Sequence, residues 1–303
     1  MRLSARSEDA MDGAGLITGQ PANRMRWSSY LGLASIVLGA AWMLIFDATN
    51  QAWAGLGMRR LDPAQIIPLD QVAPESRESV AEVIRDHTFH RQGAADSFAC
   101  DPTLYSMLVN EPDLTLTLWR DLSSAPVQLK KLSPNRYEGT DGQGASGTWD
   151  YVLRSPQLHV MLAYFNYASP RGNARIDARI VLVVRSTYYR GMGGEPSIQH
   201  SIEAFVKVDS KGWKTVARTF RPIIEKALED QVHEAGLFVS LMARVVVDHP
   251  TWAIQVVGKN EAIDPEMKQK FRHLVMQNRS PDASDGRPVV AQSRDPNAAT
   301  QRR

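Results

Sequence analysis

Six segments of strand-like alternation, followed by one long apolar stripe at helical spacing, set the tightest limit on how this chain folds. Residues 127–132, 136–140, 147–154, 158–168, 174–190 and 198–208 read as strands. Turn signals part them at Ser133-Pro134-Asn135, Asp141-Gly142, Ser155-Pro156, Pro170-Arg171-Gly172-Asn173 and across 191–196. In the fifth strand Ile176, Ala178, Ile180, Leu182 and Val184 share one face, while Arg175, Asp177, Arg179 and Arg185 share the other. In the sixth, Ile198, His200, Ile202, Ala204 and Val206 oppose Gln199, Ser201, Glu203 and Lys207. One face of an antiparallel sheet is therefore expected to be buried. The element that buries it follows in the chain: from Trp213 through Phe220, Ile224, Leu228, Val232, Phe238 and Met242 to Val247, apolar residues recur at helical spacing, with Pro222 kinking that helix or opening a second segment.

Upstream, residues 75–86 read as a short amphipathic helix with Val80, Val83 and Ile84 on one side, and 88–100 as extended chain. Asp101-Pro102 supplies an N-cap followed by proline at the first helical position, so helices are predicted over 102–110 and 112–122, parted at Glu111-Pro112-Asp113. Strand, two small helices, about six antiparallel strands and a long C-terminal helix is an order that resembles the START-like, or helix-grip, superfamily, over residues 88–247. The resemblance implies an α+β fold in which a curved antiparallel sheet wraps the long C-terminal helix. It also implies an apolar cavity between them, which in that superfamily commonly holds lipids, sterols, polyketides or hormones. Some members are enzymes and others only bind or help assembly. The interruption at Pro222 departs from the pattern, and no motif aligns the cavity-facing residues, so no residue role is carried over. The local text His87-Thr88-Phe89-His90-Arg91-Gln92-Gly93 and Asp101-Pro102-Thr103-Leu104-Tyr105 also resembles an uncharacterised group of bacterial exported proteins.

Ahead of this unit, residues 27–46 run for twenty positions without a charge, entered past Arg24 and Arg26 and left at Asp47. At about 1.5 Å per residue, a helix of that length covers roughly 30 Å, the thickness of a bilayer's hydrocarbon core. The run reads as one transmembrane helix with Trp27 at the interface, or as a signal h-region. A retained anchor is the reading, single-pass in the cytoplasmic membrane, with the folded domain on the outer, periplasmic side. The alternative is secretion after cleavage following Ala54, at the small-x-small site Ala52-Trp53-Ala54, with Met25 as the true start. The organisation expected is then a polar segment over 1–26, the apolar run over 27–46, an extended proline-bearing tether over 47–73, the α+β domain over 74–276, and a disordered tail over 277–303 rich in Pro, Ser, Asp, Arg and Asn. Ser35 and Gly39 form a small-xxx-small pair that allows a weak homo-dimer.

With 35 basic against 33 acidic side chains, the net charge of +2 points to no nucleic-acid partner. The single cysteine, Cys100, excludes an internal disulfide and reads as a structural thiol. His87, His90 and Cys100 suggest a metal, but a spacing of three sets the two histidines on opposite faces of a strand, and no fourth ligand follows, so no metal or other cofactor is expected. The glycine-rich stretch 139–144 lacks the Lys-Ser/Thr of a phosphate loop and reads as a hairpin turn. His200 sits on the apolar inward face, where an imidazole serves either a ligand's polar end or the core itself. Trp149, Tyr151, Tyr164, Tyr167 and Trp213 lie on the elements that would line a cavity, or fill it. No nucleophile with a base and an orienter stands out, so the expectation leans away from an enzyme. The function expected is binding of a membrane lipid or other apolar small molecule by a membrane-tethered domain; the alternatives are a non-catalytic interaction or assembly module with a filled cavity, and then an enzyme of the cyclase or dehydratase kind.

The apolar run generates the first prediction. In host-cell fractionation, the full-length chain is expected in the membrane pellet after a high-salt wash; a soluble species beginning at Gly55 would show cleavage instead.

Overall fold

The computed structural model describes residues 61–123, 127–142, 144–168, 175–210, 232, 237–279 and 284–288. The chain opens with a one-turn helix, α1 (Pro63–Ile66), two 3-10 turns (Leu69–Gln71 and Pro74–Ser76) and α2 (Arg77–Arg85). Strands β1 (Phe89–Gln92) and β2 (Asp96–Ala99) precede α3 (Pro102–Asn110) and α4 (Pro112–Leu122). Six strands follow: β3 (Gln128–Ser133), β4 (Arg136–Thr140), β5 (Ala145–Arg154), β6 (Leu158–Ala168), β7 (Arg175–Arg190) and β8 (Pro196–Val208). Three helices complete the described chain: α5 (Leu237–Asp248), α6 (Pro250–Lys259) and α7 (Pro265–Gln277).

All pairings are antiparallel, in the order β1-β8-β7-β6-β5-β4-β3, and β2 joins β1 on the outer edge of β8. The meander from β3 to β8, edged by the two N-terminal strands and covered by helices, makes the molecule α+β as expected. Asp101 caps α3 through its carboxylate, which accepts from Thr103 N–H at 2.8 Å and Leu104 N–H at 3.0 Å. At the β4–β5 turn Gly142 and Gly144 take φ of 70° and 111°; a Cβ at Gly144 would sit 2.3 Å from the Ala168 carbonyl oxygen, so that glycine-rich stretch is a hairpin turn.

The inner face carries the main core. Phe98, Leu104, Tyr105, Leu108, Leu114, Leu118, Ile198, Met242, Val246, Trp252, Phe271 and Val275 bury there together, joining β2 and β8 to α3, α4, α5, α6 and α7. The long helix expected through Val247 is described over Leu237–Asp248, and its stripe of Leu241, Met242, Val245 and Val246 does pack inward. Pro222 and most of the stretch before Leu237 lie outside the described residues. Past Asp248 the chain turns by 107° into α6, because His249-Pro250 cannot extend the hydrogen-bond ladder. Helices α6 and α7 then close the core from beyond the expected stripe. No described helix is long and apolar enough to cross a membrane, and residues 27–46 lie outside the described ones.

Two expectations need correction. The sheet buries part of both faces: Val181, Val183 and Phe205, on the side assigned to Arg179 and Glu203, pack with Val160 and Leu162 under Val80, Val83 and Ile84 of α2. The described end of the expected tether, residues 61–73, is part of that cover, with Ile67 and Val72 only 2% and 1% exposed. A β-bulge at Val152 breaks the β5–β6 ladder, and the Val152 carbonyl accepts from Ala73 N–H at 2.9 Å, which fixes the segment on the sheet. Arg185 holds it too, donating to the Ile66 carbonyl at 2.7 Å while pairing with Glu203 at 2.6 Å.

The second concerns the tail. Residues 284–288 lie against the α6 start: Ser284 N–H donates to Asp248 O at 2.7 Å, Thr251 to the Asp285 carboxylate at 2.9 Å, and Arg287 pairs with Asp121 at 3.1 Å. The donors at a helix N-terminus favour the acidic Asp285 there, an attraction that composition does not register.

The buried strap gives a prediction opposite to that of a solvated tether. Ile67→Ala is expected to cost about 2 to 4 kcal/mol. In a domain of this size the thermal midpoint should fall by about 4 to 16 °C. An unchanged melt would mean that the segment does not bear on the sheet.

Candidate functional site

Between the inner sheet face and the helices lies a cavity of about 200 Å³. Its floor is built by alternate residues of four neighbouring strands: Trp149 and Tyr151 of β5, Met161 and Ala163 of β6, Leu182 and Val184 of β7, His200 and Ile202 of β8. Register brings them side by side, since Trp149 pairs with Ala163, Tyr151 with Met161, and Met161 with Leu182. The roof is one face of α4, Pro112, Thr115, Leu116 and Trp119, spaced three and four apart, joined by Leu108 and Val109 of α3. Val127, Gln128 and Leu129 at β3, with Val232, Phe238 and Val239, close the sides; Trp119 and Phe238 meet edge to face with centroids 5.3 Å apart.

No described lining residue carries a formal charge, apart from what His200 would acquire on protonation. The polar atoms are mostly turned into the wall. Thr115 donates to the Leu108 carbonyl at 2.6 Å, and the Tyr151 hydroxyl to the Val109 carbonyl at 2.8 Å. His200, 1% exposed, has its Nδ1 3.2 Å from the Tyr105 hydroxyl, which lies 2.6 Å from Ser186 Oγ. Phe98 adds an edge contact to the imidazole at 5.3 Å. Burial pushes the Tyr105 and Tyr151 phenols up, so both stay protonated as donors. The lining thus offers apolar surface and fixed dipoles, with Thr115 tied to a carbonyl rather than to a base.

The expected site residues divide. His200, Trp149 and Tyr151 line the cavity. Tyr164 does not: it is 41% exposed on the opposite sheet face, because period-two alternation turns Met161, Ala163 and Phe165 inward and Tyr164 outward. Tyr167 shares the inward face but packs farther along, against the Tyr137–Trp149 cluster and the Phe89–Ile176–Val208 cluster. Trp213 lies outside the described residues. Trp119 is a lining residue that the sequence reading does not name, although its spacing from Pro112, Thr115 and Leu116 sets all four on one face of α4.

His87 and His90 are also placed differently than a shared strand would have them. His87 precedes β1, where its Nδ1 meets the Ile84 carbonyl at 2.8 Å, and the two rings lie edge to face at 5.6 Å, beside Phe205. His90 pairs with Glu203 at 2.8 Å. Cys100 sits in the other core, its thiol pushed up to about 12 by burial. Among the described residues no three of His, Cys, Asp and Glu gather as a metal set.

No protein-family model matches the chain, and no curated protein matches it. Solved structures do. A conserved protein of Geobacillus kaustophilus is 10% identical, matched over 50% of this chain and 95% of that one, with a TM-score of 0.33. Truncated norcoclaurine synthase from Thalictrum flavum is 13% identical over 53% and 94%, with a TM-score of 0.33. A protein of Thermus thermophilus is 8% identical over 51% and 97%, with a TM-score of 0.31.

Next to the cavity, His159 of β6 joins the sheet to the α3–α4 corner, with Nε2 3.2 Å from Asn110 Oδ1 and the ring edge-on to Tyr151. It is 1% exposed, and burial, helped by Arg154, lowers its pKa to about 4. The unfolded chain, with a histidine pKa of about 6.5, takes up this proton first as pH falls, so stability is lost from about pH 6.5 down to about 4 and levels off below. The loss from this group is about 3 kcal/mol. Thermal midpoints against pH should show that decline in the wild type, and His159→Gln should flatten it by the corresponding amount.

Proposed function

We propose that this domain binds an apolar small molecule in the cavity between sheet and helices, and does so at a membrane to which residues 27–46 tether it. The observation that carries the reading is the uncharged cavity, partly open to solvent, whose described lining is almost wholly apolar. Apolar surface held in such a concave space favours an apolar occupant over water.

Size limits the occupant. A dry apolar cavity of about 150 Å³ holds benzene, and drug-sized ligands occupy about 300 to 1,000 Å³. A ring with a short tail, or a segment of one acyl chain, suits this volume; a membrane lipid would insert part of a chain while the rest stayed outside. Tethering on the outer side of the cytoplasmic membrane would keep the cavity near a reservoir of such molecules. The small volume also supports the second reading, an interaction or assembly module whose own side chains close the space.

Native mass spectrometry of the full-length chain tests this. A co-purified apolar molecule is expected on the wild type, and Ala163→Phe, which fills the floor of the cavity, should displace it. A wild type that is always empty, together with a more stable Ala163→Phe variant, would sink the binding role and leave the module.

A further inference from the structure

Three hairpins close at one end of the sheet, and the strap that leads into the domain is held at that same end. The β3–β4, β5–β6 and β7–β8 turns fall there because the six strands form a meander. Leu61, the first described residue, and Leu158, the first of β6, both pack on the outer core, and Arg185, the partner of Leu158 in the ladder, donates to the Ile66 carbonyl. Residues 47–60 join Leu61 to the apolar run read as the anchor, a span of at most about 50 Å when fully extended. The β7–β8 hairpin runs past its neighbours here. β6 leaves β7 at Arg185 and β2 leaves β8 at Ser197, so residues 190–195 have no described strand on either flank. The tip is nonetheless ordered by its own bonds: Gly191 N–H donates to the Glu195 carbonyl at 2.8 Å, Gly194 N–H to the Gly191 carbonyl at 2.9 Å, and Arg190 to the Gly194 carbonyl at 2.9 Å. On it Met192 is fully exposed and Tyr189 is 44% exposed, and Leu132 beside the β3–β4 turn is exposed as well. Of the large exposed hydrophobic residues among those described, Tyr164 and Met276 alone lie elsewhere.

We infer that this end of the sheet faces the bilayer and that the β7–β8 tip docks on it, with Met192 at the acyl boundary and Tyr189 at headgroup level. Apolar residues scattered singly over a surface are ordinary. These are gathered where the strap enters, within reach of the anchor, and a tyrosine ring with a polar hydroxyl suits a membrane interface. Arg190 and Glu195 bring one charge of each sign to the tip, so the contact does not require anionic lipid. So few side chains would not hold a free domain on a bilayer; a tether supplies the effective concentration at which a weak contact persists. The inference rests on residues 27–46 being the anchor, as proposed above, and adds the orientation in which the anchored domain sits.

Fluorescence quenching on the full-length chain in phosphatidylcholine nanodiscs tests it. Cys100 is buried with its thiol pushed up to about 12, so a nitrobenzoxadiazole dye on Met192→Cys labels that position selectively. Arg175→Cys carries the same dye at the opposite end of β7, about 50 Å away along the strand, where the side chain is exposed. With nitroxide-labelled phosphatidylcholine in the disc, the dye at Met192→Cys should be quenched and shifted to the blue, and the dye at Arg175→Cys should be neither. Adding Tyr189→Asp to the Met192→Cys chain should reduce the quenching while the chain stays in the disc. Equal quenching at the two positions, or stronger quenching at Arg175→Cys, overturns the docking and leaves the anchor. A blue shift at Met192→Cys without nitroxide quenching means that protein, such as a second copy of the chain, covers the tip, and overturns it too. A chain that does not enter the discs overturns the anchor and the docking together.

Discussion

The pairing of β7 with β8 carries the rest of the structure, because both strands are apolar on two sides. They span 16 and 13 residues, and every other sheet element is added to one edge or the other of this pair. On the inner side Val184, Ile198, His200, Ile202 and Ala204 demand a helical cover; on the outer side Val181, Val183 and Phe205 demand another. Antiparallel sheets often leave one face wet. Here the outer cover is a single short helix and a strap, locked at the margins by charge: Glu82 bridges Arg179, at 2.6 Å, and Lys207, and Arg179 also pairs with Asp209. Arg179 and Lys207 hold the Glu82 carboxyl down to about 2, so this clamp persists well into acid.

How much of this was legible depended on whether the signal was local. Helices α3 and α4 follow from Asp101-Pro102 and Glu111-Pro112, where proline fixes φ at the first helical position, and their bounds match the reading residue for residue. Strands β4 and β6 were equally plain between their turn signals. The outer cover was not, because Val181, Val183 and Phe205 are interleaved with arginines and a glutamate, and alternation assigns a face without saying whether anything covers it. Residues 61–73 carry proline at 63 and 68 and no sustained periodicity; Ile67 and Val72 are buried against α2 and the outer sheet face, where a bulge carbonyl some eighty residues later anchors the segment, a long-range fact. Of the site, His200, Trp149 and Tyr151 were readable from strand parity. Tyr164 lies on a lining strand but has the outward parity, and Trp119 is hidden because a tryptophan on an amphipathic helix looks like core from any window of sequence.

The cavity is where the two sides of the main core fail to meet. Along α4, Leu114 and Leu118 pack into the core shared with α6 and α7, Trp119 and Leu116 belong to or pack on that core while also bordering the void, and Thr115 lines it. The same helix is fixed at its end by Asp121, which accepts from Trp252 of α6 and pairs with Arg287 of the tail segment. Neighbouring polar groups are anchored in the wall: Tyr105, Ser186 and His200 form one chain across α3, β7 and β8, and His159 with Asn110 ties the corner. A lining held this way cannot collapse to fill the space without breaking buried hydrogen bonds, each worth about 1 to 3 kcal/mol when a partner is left unsatisfied.

Were the cavity occupied as proposed, occupancy and stability would be coupled through α4. An occupant that binds only the folded chain adds stability by mass action, about 2.7 kcal/mol at a hundredfold excess over its dissociation constant. Because the roof of the cavity is also one wall of the core containing α6 and α7, that gain is shared with helices that never touch the occupant. By the same link, a change at the Asp121–Trp252 contact is expected to loosen the end of α4, on which Trp119 sits, more than the sheet floor. If the cavity binds an apolar molecule as proposed, its affinity would be set partly by the helical core behind the roof, and the residues that govern it would extend beyond those that line the cavity.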